Sequence, residues 1–440
     1  MSARIITMAM TRLASLETQR TERTELTMKT EDAFPRAAPA ATDTAPRTTS
    51  LPAEGARRLM AGIKAIRAGA SARTGAEDLR HIKRLSLLGR AFSALGYATS
   101  ALGPNPISMI LIALGRFARW VVVAHPVLHK AYDGVAGGDP AWNSRTFARG
   151  RRSLWDWFDW LDADAWQAQH NVSHHCYTGD ERDPDRVAVN MAWLKSKPKL
   201  VRALALFLTA CTWKWLYYGP ATRSALRKRR ERAAEASTEG RERAAWSPSV
   251  LLDREMLLRS YLPYALVHFV LLPLAFLPLG RWAALGVLVN SVAAELLSNL
   301  HSFAVIAPTH TGLDIPIFEG AARSREEYYV RQIVGSVNYE SPSRAADFLH
   351  GYMGYQIEHH LWPDLPLRQY PEVAREVEAL CREVGLPYRR DSVWRRITEM
   401  VRAVISDEEV QATRVAISDA GARRAGRKNG GGLELASLHG

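Results

Sequence analysis

The sequence predicts an all-α integral membrane protein, with about four transmembrane helices paired into two hairpins and further helices at the interface. Three observations carry this. Hydrophobic residues make up 47% of the 440, yet they gather into a few long stretches instead of spreading evenly. Four of those stretches, at roughly 86–103, 106–124, 262–279 and 282–306, approach the ~20 residues that ~30 Å of hydrocarbon requires. The joints within each pair are short, GPNP at 103–106 and LPLGRW at 277–282, so each pair returns to the side on which it began.

Residues 1–80 mix Thr, Arg, Ala and Pro and are expected to form a disordered arm, and residues 401–440 a polar, largely disordered tail. Neither offers enough apolar surface to offset the entropy of ordering. Residues 81–400 remain as one membrane domain. The chain does not open on a charged, then apolar, then small-residue segment, so no cleavable secretion signal is expected. Arg116 and Arg119 lie inside the second stretch, three residues apart, which predicts a helix face turned toward protein or reaching for headgroups. The three cysteines, Cys176, Cys211 and Cys381, show no CxxC spacing and are read as reduced bystanders.

The stretch LVRALALFLTACTWKWLYYG (200–219) has the length of a fifth crossing. A single crossing there would put the basic loop at 223–245 on the opposite side from the N-terminal arm, whereas Arg and Lys in short loops mark one side, the cytoplasmic. Residues 200–219 are therefore expected to be interfacial or re-entrant, with Trp213, Lys214, Trp215, Tyr217 and Tyr218 at headgroup level. SLWDWFDWLDADAWQAQH (153–170), with Trp155, Trp157, Trp160 and Trp166 among four aspartates, reads equally as a second interfacial helix or as a soluble amphipathic one. Two hairpins place both termini and the segment between the hairpins on the cytoplasmic side.

On that side lie three groups of histidines. HPVLH holds His125 and His129, four apart and so on one helix face. HNVSHH repeats the spacing in His170 and His174 and adds His175, about 100° further round, which predicts one ion for the first two while His175 turns toward another. QIEHH ends in His359 and His360, with Gln356 where a further ligand would repeat the pattern. Thirteen histidines in 440 residues are unexceptional, but seven of them fall into these three groups beside the apolar stretches. A structural zinc site needs four ligands and prefers thiolates, so two ions sharing the imidazoles fit better, and a paired redox centre favours iron. Asp180, Asp183, Asp185 and Glu358 lie close by, where carboxylates that orient imidazole N–H groups are expected. The three groups can thus meet at one cytoplasmic membrane face.

These three groups, closing on GYQIEHHLWP near the C-terminus, resemble the histidine boxes of membrane fatty acid desaturases. The Gln-first third box is similar to that of the front-end and related acyl-lipid branches. The resemblance implies a four-helix scaffold with a cytosolic metal-binding cap, and in that cap a di-iron centre that uses dioxygen as co-substrate to remove hydrogen from an acyl chain lying in a narrow, dry tunnel. It also implies one further ligand after the fourth stretch, for which His310 in APTHTG is chosen over His301 in SNLHSF. His301 stays open as a ligand or a hydrogen-bonded interior residue, and Gln356, Asp183, Asp185 and Glu358 as ligands or supporting groups. His268 is read as packing, and His81, His350 and His439 have no paired neighbour.

Two departures stand out. Pro126 occupies the place after the leading histidine that commonly carries an acidic residue, which puts the geometry of His125 in question. Nothing resembles the HPGG haem signature of fused cytochrome domains, so electrons are expected from a separate ferredoxin or cytochrome b-type donor with its reductase. The rival readings are a di-iron lipid hydroxylase on the same scaffold and, from another class, a non-catalytic metal-binding membrane protein. The net charge of +13 is assigned to attraction to anionic headgroups, not to nucleic acid. The membrane is the inner or plasma membrane for a bacterial chain, and the endoplasmic reticulum for a eukaryotic one.

Overall fold

The computed structural model describes residues 47–135, 138–235, 253–410 and 412–418, and they are mostly helical. Three helical runs are long and apolar enough to cross a membrane: Pro106–Leu128, Arg254–Leu279 and Arg281–Thr309. They answer to the second, third and fourth of the predicted stretches. The first, 86–103, differs, because it is the latter part of a helix over Ala76–Ser100 whose leading half carries Arg80, Lys83 and Arg84. That helix nevertheless packs along Pro106–Phe117 as a hairpin. Glycine permits the close approach: a Cβ on Gly115 would stand 2.2 Å from Ser93 Oγ and 2.9 Å from the Gly89 carbonyl. Gly286 admits the last crossing to the same joint, since its Cβ would meet the Ser100 carbonyl at 2.3 Å.

The expected disordered arm is corrected over its described part. Residues Ala53–Arg73 form a helix, preceded by a strand over Arg47–Pro52. Its apolar residues recur at helical spacing, and Ala56, Leu59, Ile63, Ile66 and Ala70 make a buried stripe against the helix Tyr370–Val384. The polar average of residues 1–80 hid that stripe, and residues 1–46 lie outside the described ones. The tail is corrected likewise: the helix Val393–Ile405 runs past 401, and Ala412–Ser418 is a strand between Arg47–Pro52 and Ile317–Phe318, parallel to both. A second parallel pair joins Asn338–Tyr339 to Arg390–Asp391.

The stretch 200–219 is a helix over Lys199–Thr212 that continues as a π-helical turn over Trp213–Tyr218. Leu200, Leu204, Phe207 and Leu208 are exposed on one side. Lys214, expected among headgroups, is instead fully buried: its Nζ lies 3.0 Å from Asp159 Oδ2 and 3.4 Å from Glu295 Oε1. Arg116 joins the same network through Glu295 Oε2 at 2.9 Å, so its helix face does turn toward protein. The four-tryptophan stretch is neither kind of long helix. It breaks into Ser153–Asp156 and Ala163–Gln167, with Trp157, Trp160 and Trp166 buried and Trp155 exposed. Of the basic loop, residues up to 235 continue the helix Gly219–Glu235, and the remainder lies outside the described residues.

Candidate metal centre

Two helical segments bring histidines together by departing from α-winding. In the first, which closes the crossing Pro106–Leu128, a π-helical turn over Ala118–Ala124 precedes His125–Leu128, next to Pro126, which has no N–H to give to the preceding turn. In the second, Ala168–His174 is π-helical and the His175 N–H bonds the His170 carbonyl five residues back. This winding corrects the expected partition of the second group. His170 and His175 share one cluster and His174 turns to the other, because five residues, not four, return the chain to the same side.

The first cluster comprises His125, His129, His170, His175 and His359, and the second His174, His310 and His360. Within each, one ligand atom per residue lies within 4.8 Å of all the others. His125 Nε2 is 3.1 Å from both His170 Nε2 and His359 Nε2, and His175 Nε2 is 3.3 Å from His170 Nε2. Neutral imidazole has one N–H, so these nitrogens cannot satisfy one another by hydrogen bonding. Among the described residues, the buried His129 Nε2 and His360 Nε2 find no hydrogen-bond partner. A common cation answers every lone pair, since nitrogens about 2.1 Å from one ion and at right angles stand about 3 Å apart. Burial first, and the neighbouring imidazoles next, hold His129, His170, His175, His359 and His360 well below the ordinary histidine range, so all five are neutral donors.

The far ring nitrogens are held in place. His174 Nδ1 lies 2.9 Å from Asp183 Oδ1 and 3.6 Å from Asp185 Oδ2. Burial alone would depress His174, but the two carboxylates outweigh it and lift the imidazole to about 9. Asp185, which also takes the Gln169 amide at 2.7 Å, is held up at about 6 by burial against the pull of His174. His310 Nδ1 donates to the Gly335 carbonyl at 3.3 Å, His360 Nδ1 to Gln332 Oε1 at 2.8 Å, and His170 Nδ1 and His359 Nδ1 each stand 3.3 Å from a tyrosine hydroxyl, of Tyr218 and Tyr370. Each of these contacts leaves an Nε2 for the cluster. Sequence reasoning missed Tyr218, Gln332, Gly335 and Tyr370. Tyr218 stood out as an aromatic but was read as a headgroup anchor, and no local pattern marked the others.

The remaining candidates separate. Gln356 Nε2 lies 2.6 Å from His310 Nε2, at the edge of the second cluster. Asp185 stands within 4.8 Å of His170 and His174 as a possible oxygen ligand. His301 stays away from both clusters, its Nε2 bonded to the Leu349 carbonyl at 2.8 Å and its ring stacked on Phe117. Glu358 faces Asn338 and Tyr388 at 2.9 and 3.0 Å, not an imidazole. Asn338 Oδ1 also takes the Ile357 N–H, so these residues fasten the helix Gln356–Leu361 that carries His359 and His360.

A narrow cavity of about 40 Å³ opens onto both clusters, with His125, His170, His174 and His310 in its wall. The rest of that wall is mainly apolar and includes Trp120, Trp213, Ile306 and Met353, from two crossings, the 200–219 stretch and the segment before the third histidine group. Histidine clusters that fit a metal site thus lie beside an apolar cavity, in a chain with helices apolar enough to cross a membrane. The chain belongs to the fatty acid desaturase family, whose profile matches residues 103–392, and it is an oxidoreductase. It is 24% identical over 375 residues to an NADPH-dependent stearoyl-CoA 9-desaturase of Mycobacterium tuberculosis, covering 78% of this chain and 79% of the relative. An acyl-lipid 8-desaturase of Rebecca salina is 23% identical over 324 residues, 71% of this chain and 66% of the relative. Fatty acid desaturase 3 of Homo sapiens is 31% identical over 131 residues, 30% of this chain and 28% of the relative.

Proposed function

We propose that the protein is a membrane-bound di-iron desaturase that introduces a double bond into an acyl chain, using dioxygen and two electrons from a separate donor. The observation that carries this reading is the division of eight histidines into two adjacent clusters beside one apolar cavity. His125, His129, His170, His175 and His359 would hold one ion, and His174, His310 and His360, with Gln356 or Asp185, the other. Iron held at these two positions would supply the redox chemistry with dioxygen that desaturation requires. The residues of the chain do the rest. Trp120, Trp213, Ile306 and Met353 seat the acyl chain and exclude water, which keeps the oxidant from solvent. Asp183 and Gly335 fix the rings of His174 and His310, and Tyr218 and Tyr370 those of His170 and His359. The donor is a ferredoxin or a cytochrome b-type protein with its reductase; the NADPH dependence in the mycobacterial relative's name fits such a chain.

Purified protein is expected to carry about two iron atoms per chain. Expression in a desaturase-deficient host is expected to yield an unsaturated lipid, its double bond located by mass spectrometry. One zinc and no iron would end the di-iron reading. Recovery of a hydroxylated in place of an unsaturated chain would move the enzyme to hydroxylation.

The proposed topology keeps four crossings, with Ala76–Ser100 as the hairpin partner of Pro106–Leu128 and both termini cytoplasmic. Its exposed Leu87, Leu88 and Leu95 supply a lipid-facing side. Reporter tags at both termini and at residue 235 are all expected on the cytoplasmic face. Termini on opposite faces would mean an odd number of crossings, and a tag at 235 on the far face would make 200–219 a crossing.

A further inference from the structure

A second cavity, of about 20 Å³, reaches the histidine clusters at His310, from the side of Gly179, Gly312 and Gly335. The two walls share His310 alone. The partition between them is one chain thick: Asp185, Val187, Ile306 and Ala307 line the acyl cavity, while Arg186, Ala188, Thr311 and Gly312 line the second. The second wall is mixed, with Asp183, Arg186 and Thr311 beside Ile315 and Val410. Thr311 Oγ1 is buried there without a hydrogen-bond partner among the described residues, and a space of this size takes about one water. Arg186, Ile317 and Val410 are partly exposed and form its outer end.

The reaction makes such a passage useful. Two C–H bonds break and one C=C bond forms. Dioxygen accepts two hydrogen atoms from the chain and two electrons from the donor with two protons from solvent, and leaves as two waters. An acyl chain in a narrow apolar cavity blocks that cavity to small molecules. We infer that the second cavity is the passage by which dioxygen reaches, and product water leaves, the His310 side of the metal centre while the acyl chain fills the first. This rests on the desaturase reading above.

The test compares fillings on either side of the partition. Ala188→Phe and, at the outer end, Val410→Trp are expected to lower kcat/KM for dioxygen at least fivefold, with iron content and the KM for the acyl substrate unchanged. Val187→Phe, on the other side, is expected to alter the acyl KM or the preferred chain length and to leave kcat/KM for dioxygen within twofold. Using both Ala188→Phe and Val410→Trp keeps the test alive where one of them fails to fold. Iron-replete plugging variants with unchanged kcat/KM for dioxygen overturn the passage, as does an equal loss in Val187→Phe. A wild-type enzyme without oxygen-dependent desaturation overturns the underlying reading instead.

Discussion

His174→Ala is expected to abolish desaturation and to reduce metal from two ions to about one per chain, while the protein stays monodisperse in detergent. The second cluster has three imidazoles, and losing one leaves His310 and His360 with only Gln356 or Asp185 to complete a site. Even outer partners of a metal ligand are worth about 10–100-fold in affinity or activity, so removal of the ligand should exceed ~100-fold by the same scale. The fold is not at stake to that degree. Asp183 keeps the Gly179 and Asp185 N–H groups at 2.7 and 2.9 Å after the imidazole has gone. Asp183→Asn separates coordination from orientation: it retains the His174 nitrogen but removes the carboxylate at Nδ1, and a loss of about 10–100-fold is expected. His310→Ala should behave like His174→Ala, and His301→Ala should keep its metal, since that ring bonds a carbonyl outside both clusters. Full activity with normal iron in His174→Ala would dismiss the second cluster as a metal site.

How far the site could be read from sequence depended on what kind of signal each residue leaves. His125, His129, His170, His174, His175, His359 and His360 declare themselves through repeated close spacing beside apolar stretches, and the fold gathers them into two adjacent clusters. Their assignment to two clusters did not follow, because a spacing of four on an assumed α-helix pairs His170 with His174 and sets His175 apart. The π-helical turn responsible has no signature in HNVSHH. The helix Ala53–Arg73 was missed for the opposite reason: Leu59, Ile63, Ile66 and Ala70 carry a plain helical period, but an average over residues 1–80 dilutes it. Lys214 was misplaced because the aromatic residues around it suit a headgroup belt equally well. Its partners Asp159 and Glu295 are 55 and 81 residues away, and only the packed fold brings them together.

That network supports the second large expected effect. Arg116 and Lys214 meet Asp159 and Glu295 in a buried set of two positive and two negative charges, fed by Trp160 Nε1 and the Tyr264 hydroxyl at 3.0 and 2.7 Å from the Glu295 oxygens. It fastens the crossings Pro106–Leu128 and Arg281–Thr309 to the 200–219 stretch. It also seats Lys214 Nζ 5.3 Å above the ring of Trp120, a residue of the acyl cavity wall. Glu295→Gln keeps the shape but turns one of the two accepting oxygens into an N–H donor, and leaves an uncompensated positive charge in the interior. Breaking a buried pair in this way costs about 3–5 kcal/mol, which should appear as a large fall in the thermal midpoint in detergent. Replacing both members of one pair, in Arg116→Met with Glu295→Met, removes the unpaired charge, so the double variant is expected to be more stable than Glu295→Gln. Glu54→Gln, at a pair on the exposed face of Ala53–Arg73, should leave the midpoint close to that of the wild type. A Glu295→Gln protein as stable as the wild type, or a double variant no better than the single one, would mean that the charges are screened by water inside the membrane domain and do not hold the crossings together.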